Sequence, residues 1–306
     1  MTRLDLTTFT DKRSDAWSGF IVATNLFLVL MPLYLSAWLG VGLHLLPAWG
    51  WFGVGMNGLL NLLHECSHYH VFAGRAGSSF LGRWVLGPLA LADFDAYQKR
   101  HWVHHRHLGE SEDPKYVYRV NVRGRRFLGF AFRCACLLEA LKKFSGQAAP
   151  PTRDESGSPP SSRLWVMRTL LVHSLLGGSI LWVATDGGGR PLGEGLLTAS
   201  VVYGGVYLYG LASLTVWVAS LRAIAEHQII GDQDVTQQDA ALRNFRPGRL
   251  LSWLLGCYGF VQHATHHYEP AIPYYRLPAA TTALAGTNPS FSPVHTYGSV
   301  LAEVIR

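Results

Sequence analysis

Three short stretches concentrate imidazoles: "HECSH" at residues 64 to 68, "HWVHH" at 101 to 105 and "HATHH" at 263 to 267. They supply His64 and His68, then His101, His104 and His105, and finally His263, His266 and His267. On an α-helix, positions i, i+3 and i+4 share one side, so each stretch aims its rings in one direction. Protonated, rings gathered this closely would repel one another and resist leaving water. Neutral imidazoles around a metal ion avoid that conflict. "LRAIAEHQ" adds His227, making nine imidazoles. That is too many for one ion with four to six ligands and suits two. The same helical geometry turns His70 and His107 roughly 120° away from the ligand face, which predicts outer or surface positions for both. Isolated His44, His173 and His295 read as ordinary core histidines. Ligating imidazoles commonly donate their second N–H to a carboxylate, and Asp93, Asp95, Glu110, Asp113, Glu226 and Glu269 stand close enough in sequence. Asp113 and Glu226 are the preferred two. Glu65 projects about 100° from His64 and is read as neither ligand nor base.

The elements that must position these side chains are apolar. Of 306 residues, 49% are hydrophobic and 15% charged, with mean hydropathy +0.14. Soluble domains carry about 25% charged residues, so the composition favours a membrane protein. The net charge of +6 comes with no nucleic-acid-binding motif, and the basic residues flank apolar runs; anionic lipid headgroups or an acidic protein partner fit better. Four cysteines without paired spacing read as free thiols of a reducing compartment. No cleavable signal segment is expected, because polar residues and charges fill the first 16 positions and the following apolar run is too long.

Four transmembrane helices in two hairpins are predicted, over about 17–38, 43–63, 164–184 and 196–220. Arg3, Lys12 and Arg13 precede the first span and Arg75, Arg83, Lys99 and Arg100 follow the second, which places the termini and the central region on the cytoplasmic side. The expectation is an all-α integral membrane protein, a single domain over 1–306, with a cytoplasmic helical cap carrying the histidines. Residues 125 to 144 read as one helix lying in the interface, with an amphipathic core helix as the alternative. Residues 145 to 160 read as a mobile Pro/Gly/Ser-rich connector. "VVYGGVYLYGLASL" offers small residues for close helix packing or for a substrate tunnel.

Two other chemistries fit part of the pattern. "HECSH" matches the H-E-x-x-H signature of zinc proteases, but one zinc with three ligands leaves the other two stretches without a role. A histidine-rich metal transporter would place ionisable groups at mid-membrane depth. The spans carry few polar residues, chiefly Asn25, Asn57, Asn61 and His173.

The order "HECSH", "HWVHH" with "EDP" downstream, "RAIAEH" and "HATHHYEPAIPYYRLP" resembles the membrane fatty acid desaturase family, with its three histidine boxes. The similarity runs from about residue 15 to 285. It implies two non-haem irons at the cytoplasmic membrane boundary, ligated by His64, His68, His101, His104, His105, His227, His263, His266 and His267. O2 is then the co-substrate, and no catalytic residue beyond the metal ligands is expected. The implied reaction is desaturation of a fatty acyl or related aliphatic chain, with hydroxylation on the same irons as the alternative. Some relatives act on small amino-acid-derived substrates. No haem, iron–sulfur or flavin signature is present, so a separate ferredoxin, rubredoxin or cytochrome b5-type donor, with its reductase, must supply electrons. The basic residues Arg119, Arg123, Arg125, Arg126, Arg133, Lys142, Lys143, Arg243, Arg246 and Arg249 could attract it or contact lipid headgroups. The resulting expectation is a multi-pass protein of a bacterial inner membrane with its active site on the cytoplasmic side. Departures from the family pattern are the insertion at 145–160 and the small residues within "HATHH".

Overall fold

The structure, a computed structural model, describes residues 5–11, 14–110, 112–115, 120–144, 163–228, 242–248 and 250–306, without the side chains of 143 and 144. Helices are the only regular secondary structure among the described residues. The connector expected at 145–160 lies outside them.

Helices α1 (Asp15–Leu39) and α2 (Leu45–Ser67) run antiparallel. Trp51 Nε1 donates to the Leu28 carbonyl at 2.9 Å, while at the far end Ala73 N donates to Asp15 Oδ1 at 2.7 Å. After a short α3 (Arg75–Leu81), a π-helical turn (Gly82–Leu86) leads into α4 (Gly87–Leu89). A Cβ on Gly87 would sit 2.6 Å from the Gly82 carbonyl oxygen and 2.9 Å from that of Ala92, so only glycine permits this close passage. Asp93 then caps α5 (Phe94–Arg106) by accepting from Asp95 N and Ala96 N.

Helices α6 (Arg125–Ala135) and α7 (Leu138–Phe144) divide the interval expected to be one interfacial helix. The break falls at Leu137, whose φ of 62° lies in the left-handed region and cannot continue an α-helix. Leu128, Phe132, Leu138 and Leu141 are exposed along the pair, while Phe130 and Cys134 are buried.

Among the described residues, three helices are long and apolar enough to cross a membrane: α1, α8 (Arg163–Ala184) and the continuous run Leu192–His227. The last comprises α9 (Leu192–Val201), two π-helical turns (Val202–Leu208 and Leu211–Thr215) and α10 (Val216–His227). At 1.5 Å per residue its 36 residues extend about 54 Å, well past a hydrocarbon core of about 30 Å. Glu226 and His227 stand at its C-terminal end. The sequence predicted four spans, and α2 does not qualify. It is 23 residues long, but its lower half carries Asn57, Asn61, His64 and Glu65, which lower its apolarity. The two asparagines bind backbone: Asn57 Nδ2 donates to the Leu254 carbonyl at 2.9 Å, and Asn61 Nδ2 to those of Leu255 and Cys257 at 3.2 Å.

The chain returns through α11 (Leu251–Leu255), α12 (His263–Tyr268), α13 (Leu277–Thr287) and α14 (Tyr297–Ile305), which close the structure beneath α2, α5 and α10. One apolar core joins α1, α2, α8 and α9, and a second joins α6, α10, α11 and α14. Of the small residues singled out in "VVYGGVYLYG", Gly210 packs against Phe52 and Trp49, whereas Gly204 and Gly205 have no non-local neighbour within 4 Å. The cavities described below are lined by other residues.

Candidate metal centre

Each histidine stretch reaches the centre on a different element. His64 and His68 end α2, His101, His104 and His105 occupy the last turns of α5, His227 ends α10, and His263, His266 and His267 form α12. A turn at Gly259, with φ of +79°, precedes α12; a side chain there would press Leu277 and Tyr274. Asn244 fixes α12 from the side, accepting from Thr265 N at 3.1 Å and donating to Thr265 Oγ1 at 3.0 Å, while the Thr265 hydroxyl meets that of Thr281 at 2.7 Å. Gln98 Nε2 donates to the Ser67 carbonyl at 2.6 Å, joining α5 to the end of α2.

Across these elements the nine histidines converge. His64, His68, His101, His105 and His266 bring their ring nitrogens within 4.8 Å of one another. His104, His227 and His267 form an adjacent group, and Glu226, His227 and His263 a third that shares His227. The His105 and His267 rings stack at 4.2 Å where the first and second groups meet.

Distances between facing nitrogens test whether metal fits. Nε2 of His101 lies 2.7 Å from Nε2 of His68 and 2.9 Å from Nε2 of His105, which is 3.2 Å from Nε2 of His266. His227 and His263 face each other through Nε2 at 2.9 Å. Imidazoles bound to one ion at about 2.1 Å, at right angles, would hold their nitrogens about 3 Å apart. One N–H···N bond can relieve a single such contact, but Nε2 of His101 and Nε2 of His105 each face two other ring nitrogens, an arrangement that a cation among them satisfies. Nε2 of His64, His104 and His267 is moreover buried without a hydrogen-bond partner. The residues present fit two metal ions. Burial, reinforced by neighbouring imidazoles, holds His101, His263, His266 and His267 well below the usual histidine range. Burial takes His104 to about 4 and His105 to about 3. All are therefore neutral ligands at pH 7.

Around the rings, Asp113 is fully buried and its two carboxylate oxygens accept from His104 Nδ1 at 2.9 and 3.0 Å. That bond fixes the tautomer and leaves Nε2 for metal. Glu226, read from sequence as an outer partner, has Oε2 3.7 Å from His263 Nε2 and unpaired, within the donor group itself. Its other oxygen accepts from the Tyr297 hydroxyl at 3.1 Å. Asp93, Asp95 and Glu269 do not join the centre. Asp93 caps α5, Asp95 pairs with Arg83 at 2.7 Å and Glu269 accepts from Ala271 N. Being near in sequence, they are consumed by local turns and surface pairing.

Glu65 takes a role that the helical-face argument did not consider. Although adjacent to His64, it is buried, and its Oε1 accepts from His64 Nδ1 at 2.9 Å. Its second oxygen is 3.4 Å from His70 Nδ1. His70 is buried beside His68, whereas His107 is partly exposed and bonds Glu110 at 2.7 Å. His173 bonds the Tyr203 hydroxyl and the Pro88 carbonyl, as a core histidine should. Tyr297 carries no sequence signal. Arg222 does, four residues before Glu226 in "RAIAEH".

A cavity of about 250 Å³ adjoins the centre, with His64, His101, His104, Lys115 and Arg222 among its walls. Burial pulls Lys115 down to about 8. A larger cavity, about 400 Å³, opens between α1, α2 and α11 beside Asn25, Trp51 and Trp253, and none of the nine histidines lines it.

Comparison with curated proteins yields no match. A family model described as fatty acid desaturase matches residues 36–298. That interval holds every histidine of the centre and most of the chain, which belongs to the fatty acid desaturase family.

Proposed function

We propose that this protein is an O2-dependent di-iron membrane desaturase acting on an aliphatic substrate. The observation that carries the reading is the division of nine histidines, seven of them buried, and Glu226 into adjoining donor groups, too many donors for one ion. Zinc has no redox chemistry, and breaking an unactivated C–H bond needs an electron-carrying cofactor. Bound iron would supply O2 reduction. Desaturation removes two hydrogens from the substrate, and two electrons with two protons from a donor complete the reduction of O2 to two waters. The chain's own part is to orient and exclude water. Glu65 and Asp113 hold the Nδ1 protons of His64 and His104, Tyr297 donates to Glu226, and Leu60 and Leu63 keep one side of the centre apolar.

In this reading α2 is a fourth, interior span paired with α1. The centre faces the cytoplasm, on the side of the basic residues Arg75, Arg83, Lys99 and Arg100. A ferredoxin-, rubredoxin- or cytochrome b5-type donor would meet the exposed Arg123, Arg125 and Arg126. Arg243 belongs elsewhere: it is buried and donates to the Ala225 carbonyl. Arg133 is paired with Glu139.

Elemental analysis of purified protein should give about two irons per chain with little zinc, as a ligand set of this size requires. Mass analysis of lipids and small metabolites from expressing cells should show a product two hydrogens lighter. Gain of one oxygen would assign hydroxylation instead. Exchangeable zinc without O2 consumption would assign metal transport and overturn the reading.

A further inference from the structure

The cavity beside the centre has an unusual wall. Leu60, Leu63, Ala92 and Pro114 make one part apolar, and His64, His101 and His104 present the metal centre. The remainder carries three cations: Arg222 from α10, Lys115 just after Asp113, and Arg100 from α5. Arg100 is exposed at the outside, whereas Arg222 is only 9% exposed. Its guanidinium lies 4.0 Å over the Phe260 ring, which itself lies 4.6 Å from His64. The nearest carboxylate oxygen, Glu226 Oε1, is 3.6 Å from Arg222 Nε, beyond hydrogen-bond reach, and neither Nε nor Nη1 has an acceptor.

Two buried guanidinium N–H groups without acceptors are costly even beside the Glu226 carboxylate, and metal ions on the neighbouring histidines would repel the guanidinium further. An anion between them removes both penalties. The two oxygens of a carboxylate match the arginine fork, and the limited volume with its apolar side suits a short hydrocarbon body. A phosphate dianion has no apolar part to match the Leu60, Leu63, Ala92 and Pro114 side of this wall. We propose that this cavity binds the carboxylate of a small monocarboxylic acid, gripped by Arg222 with Lys115 beside it. Because Arg222 and the histidines His64, His101 and His104 line the same cavity of about 250 Å³, oxidation falls within a few carbons of that carboxylate. The inference takes the oxidase reading as its basis for calling the acid a substrate; binding of the acid stands apart from it.

Calorimetric titration of the full chain in detergent, with and without bound metal, tests it using hexanoate, hexanamide and inorganic phosphate. Hexanoate should bind in both metal states, and hexanamide, which lacks the charge, at least about tenfold more weakly. Arg222→Gln should weaken hexanoate by about thirtyfold while leaving the metal content unchanged, and Arg222→Lys should recover part of the loss. If Arg222→Gln does not fold, Lys115→Met provides the second measurement, with hexanoate weakened several-fold relative to hexanamide. Equal binding of acid and amide, unchanged affinity in both variants, or phosphate binding as tightly as hexanoate would each overturn the proposal. Protein lacking iron and O2-dependent turnover, yet discriminating acid from amide, would overturn the oxidase reading alone.

Discussion

His104 and His107 stand three residues apart and have opposite surroundings. His104 is 1% exposed, donates to buried Asp113 and directs a bare Nε2 inward; His107 pairs with Glu110 at the surface. His104→Ala should therefore abolish turnover and deplete metal, while His107→Ala should retain most of both. Metal content by mass spectrometry checks this, and equal loss in the two variants would contradict the assignment of faces on α5. Asp113→Asn preserves the shape of the side chain but removes the charge that polarises His104. Loss of such a partner should weaken metal affinity by about 10- to 100-fold, measurable by chelator competition.

The histidines are only as well placed as the elements that present them. The π turn between α3 and α4, and the close passage at Gly87, set the direction from which α5 approaches α2. At Gly87 an added methyl meets two backbone carbonyl oxygens, which cannot rotate away as a side chain would. Gly87→Ala should destabilise the protein by about 1–3 kcal/mol, typical of overpacking, and also loosen metal retention because α5 shifts. Thermal unfolding and metal content, measured together, distinguish this from purely local strain; an unchanged midpoint would show that the turn yields freely. At α12 the same task falls to the Asn244, Thr265 and Thr281 bonds, since a helix of six residues has little stability of its own.

For the molecule as a whole, a cluster of buried imidazoles couples metal, pH and folding. Without metal, His104 and His105 have folded-state values of about 4 and 3, below the 6.5 of the exposed ring. As pH falls below 6.5 the unfolded chain takes up protons that the folded chain refuses, so stability present above pH 6.5 is lost progressively toward pH 4. Each such group contributes about 1.4 kcal/mol per pH unit in that window. The thermal midpoint of metal-free protein should accordingly drop between pH 7 and pH 5, and a flat profile would mean the rings are not buried as described. Around this interior the molecule turns large apolar side chains outward, including Phe20, Phe27, Leu170, Leu175 and Trp182 on α1 and α8. That exposure is expected where lipid is the solvent.

By itself the sequence determined the helical class and the histidine set, because periodicity and residue type are local properties. Spacing of i, i+3 and i+4 aims imidazoles together whatever lies beyond the helix. The same local logic failed for partners. Glu65 was dismissed on helical angle, yet a carboxylate beside His64 can bend to its Nδ1. Asp93, Asp95 and Glu269 were included on nearness in the chain, which turns and caps had already claimed. Length and the absence of charge over residues 43–63 suggested a fourth span, but α2 runs on to Ser67 and carries Asn57, Asn61, His64 and Glu65 in one half, so it is not clearly apolar enough to count as one. Only the tertiary structure decided how the histidines divide among three adjoining donor groups, put Glu226 among the donors, and brought Tyr297 from 71 residues away to its carboxylate. Those are matters of long-range packing, where distance along the chain carries no information about distance in space.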